Sequence, residues 1–434
     1  MTKYLEHQRA GWDATRLDRV ATVNARIGWK ALTASEYQPD GFAFLSTPNI
    51  KGPDIDFENV NFISDFRYRE SPELQLKEGD VLLTKDGFTL GTVNVVRHLP
   101  RAATVNGSIA VLRPFAIDPR FLRYTLASST TRHHMWSVKN GMDVLHLFQR
   151  DIKKIPILLP PIEEQHRIAD FLDEETARID RLHHLRTQHR ALVSQRIRRR
   201  IEDLATGTGL PGSPSGNPWI GQVPHGWQIL PMKRRWKIVD CKHRTPHYET
   251  SGYPVISPGD ISPGRLDLST AHRFVGEVDY LDLAGSNRRP RRGDIVYSRN
   301  ASVGISAYVD TEKPFTMGQD VCRITSADQN QLFLNYVLNS VALAELTSLQ
   351  VGSTFARVNI ATLLELSIPC PPPTEQKKIA RTMDAVSAWG NQMDQKLNRQ
   401  LELLAERRQA LITAAVTGQF DVSTASGRNV TDGV

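Results

Sequence analysis

The chain has 434 residues, with 54 Lys and Arg against 47 Asp and Glu, a formal net charge of +7 and a pI near 9.3. Hydrophobic content of 40% and charged content of 23% exclude wholesale disorder, the length allows about two to four domains, and the basic surplus suits a polyanionic partner. Cys241, Cys322 and Cys370 form no Cys-x-x-Cys pair, which argues against a zinc ribbon or a disulfide scaffold, and with no signal-like apolar start or bilayer-length apolar run the expectation is a soluble, cytoplasmic protein without membrane contact.

In chain order, residues 1–158 read as a mixed region of short apolar runs bounded by turn residues. Strands are predicted at Phe42-Ala43-Phe44-Leu45, Asp80-Val81-Leu82-Leu83, within 91–96 and at Ser108-Ile109-Ala110-Val111-Leu112, with a helical patch near 120–128. Pro160-Pro161 then stops the strand-like text, and Glu163 opens a helix with an acidic first turn, as the helix dipole prefers. Apolar positions Ile168, Leu172, Ile179, Leu182, Leu185 and Val193 recur at steps of three, four and seven, the pattern of a coiled-coil seam over 159–206. Residues 207–218 have the Gly/Pro/Ser composition of a linker.

The second half repeats the first. Gly252-Tyr253-Pro254-Val255-Ile256-Ser257 echoes Gly41-Phe42-Ala43-Phe44-Leu45-Ser46, and Pro371-Pro372-Pro373-Thr374-Glu375-Gln376 echoes Pro160-Pro161-Ile162-Glu163-Glu164-Gln165, both at an offset of 211. Tyr37 and Tyr248, Gly141 and Gly352, and Thr206-Gly207 and Thr417-Gly418 keep that offset, while Gly79-Asp80 meets Gly293-Asp294 at 214. A second mixed region therefore covers 219–370, with strands at Pro254-Val255-Ile256, Asp294-Ile295-Val296-Tyr297 and Val321-Cys322-Arg323-Ile324 and a helical patch near 330–346. A second long helix covers 371–420, seamed by Ile379, Met383, Val386, Met393, Leu397, Leu401, Leu404 and Leu411, and 421–434 is a polar tail. Two copies of one architecture with little identity elsewhere imply one kind of task performed on two targets. A helix of about 40 residues is roughly 60 Å long, so each stripe needs more than its own small domain to cover it. The two stripes are expected to bury each other, antiparallel, although each could instead lie on its own domain.

The residues show few signs of catalytic chemistry. The chain lacks a phosphate loop, a Gly-x-Gly-x-x-Gly and a His-Glu-x-x-His pair, and the adjacent histidines His133-His134 and His183-His184 point about 100° apart on a helix, a poor metal geometry. Read from the residues alone, a stand-alone nuclease or methyltransferase and a coiled-coil structural protein remain open, with the missing cofactor motifs weighing against the first.

The proline-headed phrases at 159–169 and 371–380, the Trp219 to Trp227 segment and Asp240-Cys241-Lys242-His243-Arg244-Thr245-Pro246 together resemble the DNA specificity subunit of type I restriction–modification systems, over nearly the whole chain. The resemblance implies an α+β, pseudo-twofold fold: two repeated mixed target recognition domains, joined by two long helices in an antiparallel coiled coil. It implies a non-catalytic subunit that reads a bipartite, asymmetric double-stranded DNA site and directs two methyltransferase (modification) subunits and restriction/translocase subunits to it. S-adenosylmethionine, ATP and Mg2+ then belong to those partner subunits. One departure is that the Lys-His-Arg-Thr-Pro phrase occurs once, the first half carrying Glu36-Tyr37-Gln38-Pro39-Asp40 instead, so recognition loops cannot be copied between halves.

Against that background the candidate DNA-binding residues follow the repeated Gly-Asp strands, form the basic loop before the second of them, or sit in polar clusters early or late in each region. In the first they are Lys85, Arg132, His133, His134, Lys139 and Asn140; in the second, Lys242, His243, Arg244, Arg289, Arg291, Arg299, Asn300, Ser353, Thr354 and Arg357. Phosphate contacts are expected to outnumber base contacts. The run 196–200 is expected to be a solvated face pairing with Glu402 and Glu406, and Phe171 is an expected partner contact.

Overall fold

The computed structural model describes residues 11–25, 32–139, 141, 145–300, 303–349 and 357–422. Two units emerge, one formed by Met1–Thr187 with Asn398–Val434 and the other by Gln188–Leu397.

In the first unit the apolar runs form a four-stranded antiparallel sheet in the order Ala21–Asn24, Ile109–Pro114, Val81–Thr84 and Val93–Val95. Val81–Thr84 is buried along its length because both faces are covered, which is why it reads as a continuous apolar run rather than an alternating one. Val81 and Leu83 join Trp12, Phe121 and Leu122 in one core, and Leu82 joins Ala43, Leu45 and Ile50 in another. The second core is roofed by a three-stranded sheet, Asn61–Ile63, Phe42–Leu45 and Ala103–Val105, whose last pair is parallel.

The second unit repeats this plan. Lys237–Asp240, Val321–Thr325, Ile295–Ser298 and Ser306–Tyr308 follow the same order, and Phe274–Val275, Tyr253–Ile256 and Thr316–Met317 form the three-stranded partner. Two additions are not in the repeat: Gly264–Arg265 extends the large sheet in parallel, and Gly212–Pro214 pairs with Gln222–Pro224. The stretch that composition marks as a linker thus contains a paired strand, because its Gly and Pro residues build a turn and an edge rather than a free tether.

The glycine that opens each echo has a steric cause. Gly41 and Gly252 hold φ of +146° and +131°, and a Cβ there would come within 2.6 Å of the Ile63 carbonyl oxygen and 2.5 Å of the Val275 carbonyl oxygen. Gly252→Ala should therefore destabilise the second unit by about 1–3 kcal/mol in urea unfolding of the purified chain. Gly259→Ala, where the added methyl meets open space, serves as the control.

The long helices run Ile162–Thr206 and Pro373–Val416. The paired glutamines of the proline-headed phrases explain how each helix docks. Gln165 is buried, accepts the Asp118 N–H at 2.8 Å and donates to the Pro160 carbonyl at 2.8 Å; Gln376 accepts the Asn330 N–H at 2.9 Å and donates to the Pro371 carbonyl at 2.8 Å. Asp118 and Asn330 are the N-caps of equivalent short helices, Pro119–Ala127 and Gln331–Leu338, so one side chain ties a helix start to a strand end. The preceding glutamates accept from Trp12 and Trp227 indole nitrogens, each at 3.2 Å, and Asp173 and Asp384 accept from Tyr124 and Tyr336 at 2.7 and 3.1 Å. Gln376→Ala leaves a buried N–H and a buried C=O without their partner and should cost about 1–3 kcal/mol, read as a lower urea midpoint. Gln376→Glu, which keeps the acceptor but not the donor, should fall between.

Within each unit the two helices pack antiparallel. In the first, Phe171 meets Phe420 with ring centroids 5.6 Å apart while Asp180 pairs with Arg408 at 2.9 Å; in the second, Arg190 pairs with Asp394 at 2.6 Å and Ile197 packs on Gly390. Three expectations change here. Leu182 and Leu185 are 43% and 51% exposed rather than in the seam, since Asp180 and Arg190 hold this stretch together by ion pairs and leave the leucines turned outward. Phe171 is taken up by Phe420. The arginine run is exposed, as expected, but Arg199 pairs with Asp203 on its own helix at 3.2 Å, and Glu402 and Glu406 pair with Arg399 on theirs. The last turns of the second helix, through Ile412, Ala415 and Val416, are part of the first unit's core.

Candidate nucleic-acid interface

Each repeated Gly-Asp strand begins with a staple and ends under a loop. Asp80 accepts the Lys77 N–H and both the Nε and Nη2 of Arg113 at 2.8 Å, while Asp294 accepts the Arg291 N–H at 2.7 Å and faces Arg323 at 3.4 Å. At the far end Lys85 and Arg299 are only 7% and 4% exposed, in ion pairs with Asp86 and Asp240 at 2.7 Å. Both cations are thus placed as anchors beneath the loops.

One residue further on, the two units share a backbone bridge: Asp86 opposite His146 and Asn300 opposite Arg357. The flanking hydrogen bonds repeat as well. Lys85 N–H reaches Ser108 O at 2.8 Å and Arg299 N–H reaches Asp320 O at 2.9 Å; the Lys85 and Arg299 carbonyls accept from Leu147 at 2.8 Å and Val358 at 2.9 Å. Asp86 and Asp320, acidic groups that sequence reading passes over, organise the side chains. Asp86 bonds His146, whereas Asp320 pairs with Arg357 at 2.7 Å and accepts from Asn300 Nδ2 at 3.1 Å. His146 is also new, although its offset of 211 from Arg357 is the signal that finds it.

In the second unit Asp240 joins Arg299 to His243, the latter at 3.1 Å, so the Lys242-His243-Arg244 segment and the Arg299-Asn300-Arg357 group lie together. Lys242 and Arg244 are held by Asp282, and Arg244 also by Asp279. Hydrogen bonds from Lys242 and then Arg244 hold the Asp282 carboxyl below its usual range. Arg289 and Arg291 are exposed; the Arg289 carbonyl accepts from Arg323 at 2.7 Å, so this basic loop is tied back to the sheet. In the first unit Arg132 and His133 are exposed on the helix Ser129–Val138, burial pushes the partly covered His134 imidazole down, and Lys139 Nζ lies 3.7 Å over the Trp136 ring. Asn140, Ser353 and Thr354 fall outside the described residues.

Exposed aromatic side chains accompany these polar groups. Phe88 is 94% exposed in the loop after Lys85-Asp86, and Phe148 stands edge-on to His146 with centroids 4.5 Å apart. Among the described residues, Asp240, Cys241 and His243 are the one grouping with metal-ligand types close together, within 4.8 Å. Buried Arg299 already neutralises Asp240, and Lys242 and Arg244 flank it, an environment opposed to a further cation. Burial pushes the Cys241, Cys322 and Cys370 thiols up, away from the reactive thiolate, and all three cysteines are free. No helix among the described residues is long and apolar enough to cross a membrane.

Comparison with known proteins matches this arrangement. The family model for the type I restriction modification DNA specificity domain fits the chain twice, over residues 11–188 and 239–403. The MjaVIII specificity subunit of Methanocaldococcus jannaschii is 23% identical over 365 residues, covering 81% of each chain. The EcoKI specificity subunit of Escherichia coli strain K12 is 20% identical over 440 residues, covering 94% of this chain and 89% of the other. Among solved structures, a chain from a study of complex assembly and conformational transition of the type I R-M system superposes with a TM-score of 0.71 at 16% identity, over 95% of this chain and 99% of that one. The HsdS subunit from Thermoanaerobacter tengcongensis gives a TM-score of 0.56 at 17% identity, over 97% and 100%. These structures share the fold, and the twofold family match, spanning well over half of the sequence on the same repeated frame, establishes that the chain belongs to the type I restriction modification DNA specificity family.

Proposed function

We propose that the chain selects DNA sequence for a type I restriction–modification complex: each unit reads one half of a bipartite, asymmetric double-stranded site, and the paired helices set the gap between the halves. The observation that carries this reading is the pairing of one conserved backbone frame with unlike side chains at its loops, Asp86 and His146 in one unit, Asn300 and Arg357 in the other. A repeated fold with different reading groups suits two different half-sites. The basic and aromatic residues around those loops suit phosphate and base contact.

The residues proposed to contact DNA are Arg132, His133, His134, Lys139 and Asn140 in the first unit and Lys242, His243, Arg244, Arg289, Arg291, Asn300, Ser353, Thr354 and Arg357 in the second, with Lys85 and Arg299 supporting the loops from below. Chemistry resides elsewhere: two modification subunits dock on equivalent helical surfaces and supply S-adenosylmethionine-dependent methylation, and restriction/translocase subunits supply the ATP- and Mg2+-dependent steps. The exposed Leu182 and Leu185 in the first unit and Leu192 and Trp389 in the second are among the apolar side chains on the long helices available for such docking. A cytoplasmic location follows from access to the chromosome.

Mapping methylated bases in cells with and without the chain tests the reading. Disappearance of methylation at one interrupted, non-palindromic motif is the expected result; an unchanged methylation map would exclude it.

A further inference from the structure

We infer that base reading in each unit centres on the pair held by the shared bridge: Asn300 with Arg357 in the second unit and Asp86 with His146 in the first. This deepens the proposed function and rests on it. Three segments meet at each bridge, and their backbones are fixed alike, by the Ser108 or Asp320 carbonyl on one side and the Leu147 or Val358 N–H on the other. The frame is therefore constant while its two leading side chains change from carboxylate and imidazole to amide and guanidinium. A position that is rigid in backbone and variable in hydrogen-bonding chemistry is what a base-edge reader requires, because bases differ by donors and acceptors at fixed places.

The chemistry of each pair specifies what it takes. Arg357 is 55% exposed on its side chain, and Asp320 grips one of its nitrogens at 2.7 Å, setting the plane of the fork. A guanidinium so held presents paired donors that match guanine O6 and N7, and the neighbouring Asn300 amide has the donor and acceptor that match adenine N6 and N7. Asp320 acts here as a positioning residue, since it contacts Asn300 and Arg357 together. In the first unit the carboxylate itself is the leading group: Asp86, anchored by Lys85 and His146, is suited to accept from the amino group of cytosine. The two half-sites should then differ at this position, a guanine in the second and a cytosine in the first.

The test uses the assembled complex in cells and single-molecule methylation mapping. Arg357→Ala and Arg357→Gln should relax discrimination at one guanine of the second half-site by on the order of tenfold to a hundredfold, with the first half-site unchanged. Asp320→Asn should affect the same base to a smaller degree. Asp86→Asn with His146→Arg should alter the first half-site alone. The intact half-site reports that each variant is folded and assembled. The inference is overturned if both Arg357 variants keep every base of the second half-site as strictly as before, or if methylation falls uniformly with no base relaxed, the behaviour of a phosphate contact or a structural residue. A bipartite motif that persists when the whole chain is deleted would sink the broader function instead, so the two failures are separable.

Discussion

Asp240→Ala is expected to destabilise the second unit by about 3–5 kcal/mol, and by more than Arg299→Ala does, although both changes remove the same ion pair. The asymmetry follows from burial. Arg299 is 4% exposed and its Nε has no acceptor among the described residues, so deleting Asp240 strands a guanidinium away from water. Asp240 keeps 30% of its side-chain exposure and a second partner in His243, so deleting Arg299 leaves a carboxylate that water can still solvate. Urea unfolding of the three purified chains measures the order directly. Equal losses, or a larger loss for Arg299→Ala, would refute the burial asymmetry, and no loss of stability in either variant would refute the assignment of Arg299 as an anchor under the reading loop. A direct DNA contact would leave stability largely intact and cut affinity instead.

The second large effect concerns the gap between half-sites. Four residues inserted between Thr187 and Gln188, together with four between Leu397 and Asn398, preserve the helix pairing inside each unit. They add roughly one turn, about 6 Å, to each helix. If the helices measure the gap, methylation should move to a motif with unaltered half-sites and one or two more unspecified base pairs, at about 3.4 Å per base pair. An insertion in one helix alone should abolish methylation, because it lengthens one of the two paired helices by about a turn and leaves the other unchanged. An unchanged gap in the doubly lengthened protein would refute the ruler.

Much of this architecture was legible in the residues because its causes are local or periodic. Pro-Pro followed by an acidic turn marks a helix start wherever it occurs, and Gly41 and Gly252 had to recur because neither position has room for a Cβ. The strand Ile295–Ser298 announced itself by a buried apolar run. What escaped depends on contacts across the chain. The helical patch expected over 330–346 is two helices, Gln331–Leu338 and Val341–Leu349, broken where Asn339 and Ser340 turn their polar groups onto nearby backbone. Leucine spacing could not reveal that Arg190 and Asp394 would meet. Nor could the chemistry of Lys85 and Arg299 reveal their depth, since a charge beside a turn looks solvent-facing until its carboxylate partner is found. The reading pair was half visible: Asn300 and Arg357 stood out as polar groups, while Asp86 and His146 were recoverable only by carrying the repeat through the loops.

The first unit's core is closed by Ile412, Ala415 and Val416, which are made long after Thr187. During synthesis at about 5–20 residues per second, the early reader must wait on the order of tens of seconds for its last wall. Until then Ile168, Ala169 and Leu172 have no such cover, so the nascent chain carries exposed apolar surface for that interval. A premature stop anywhere before residue 412 would injure the module translated first.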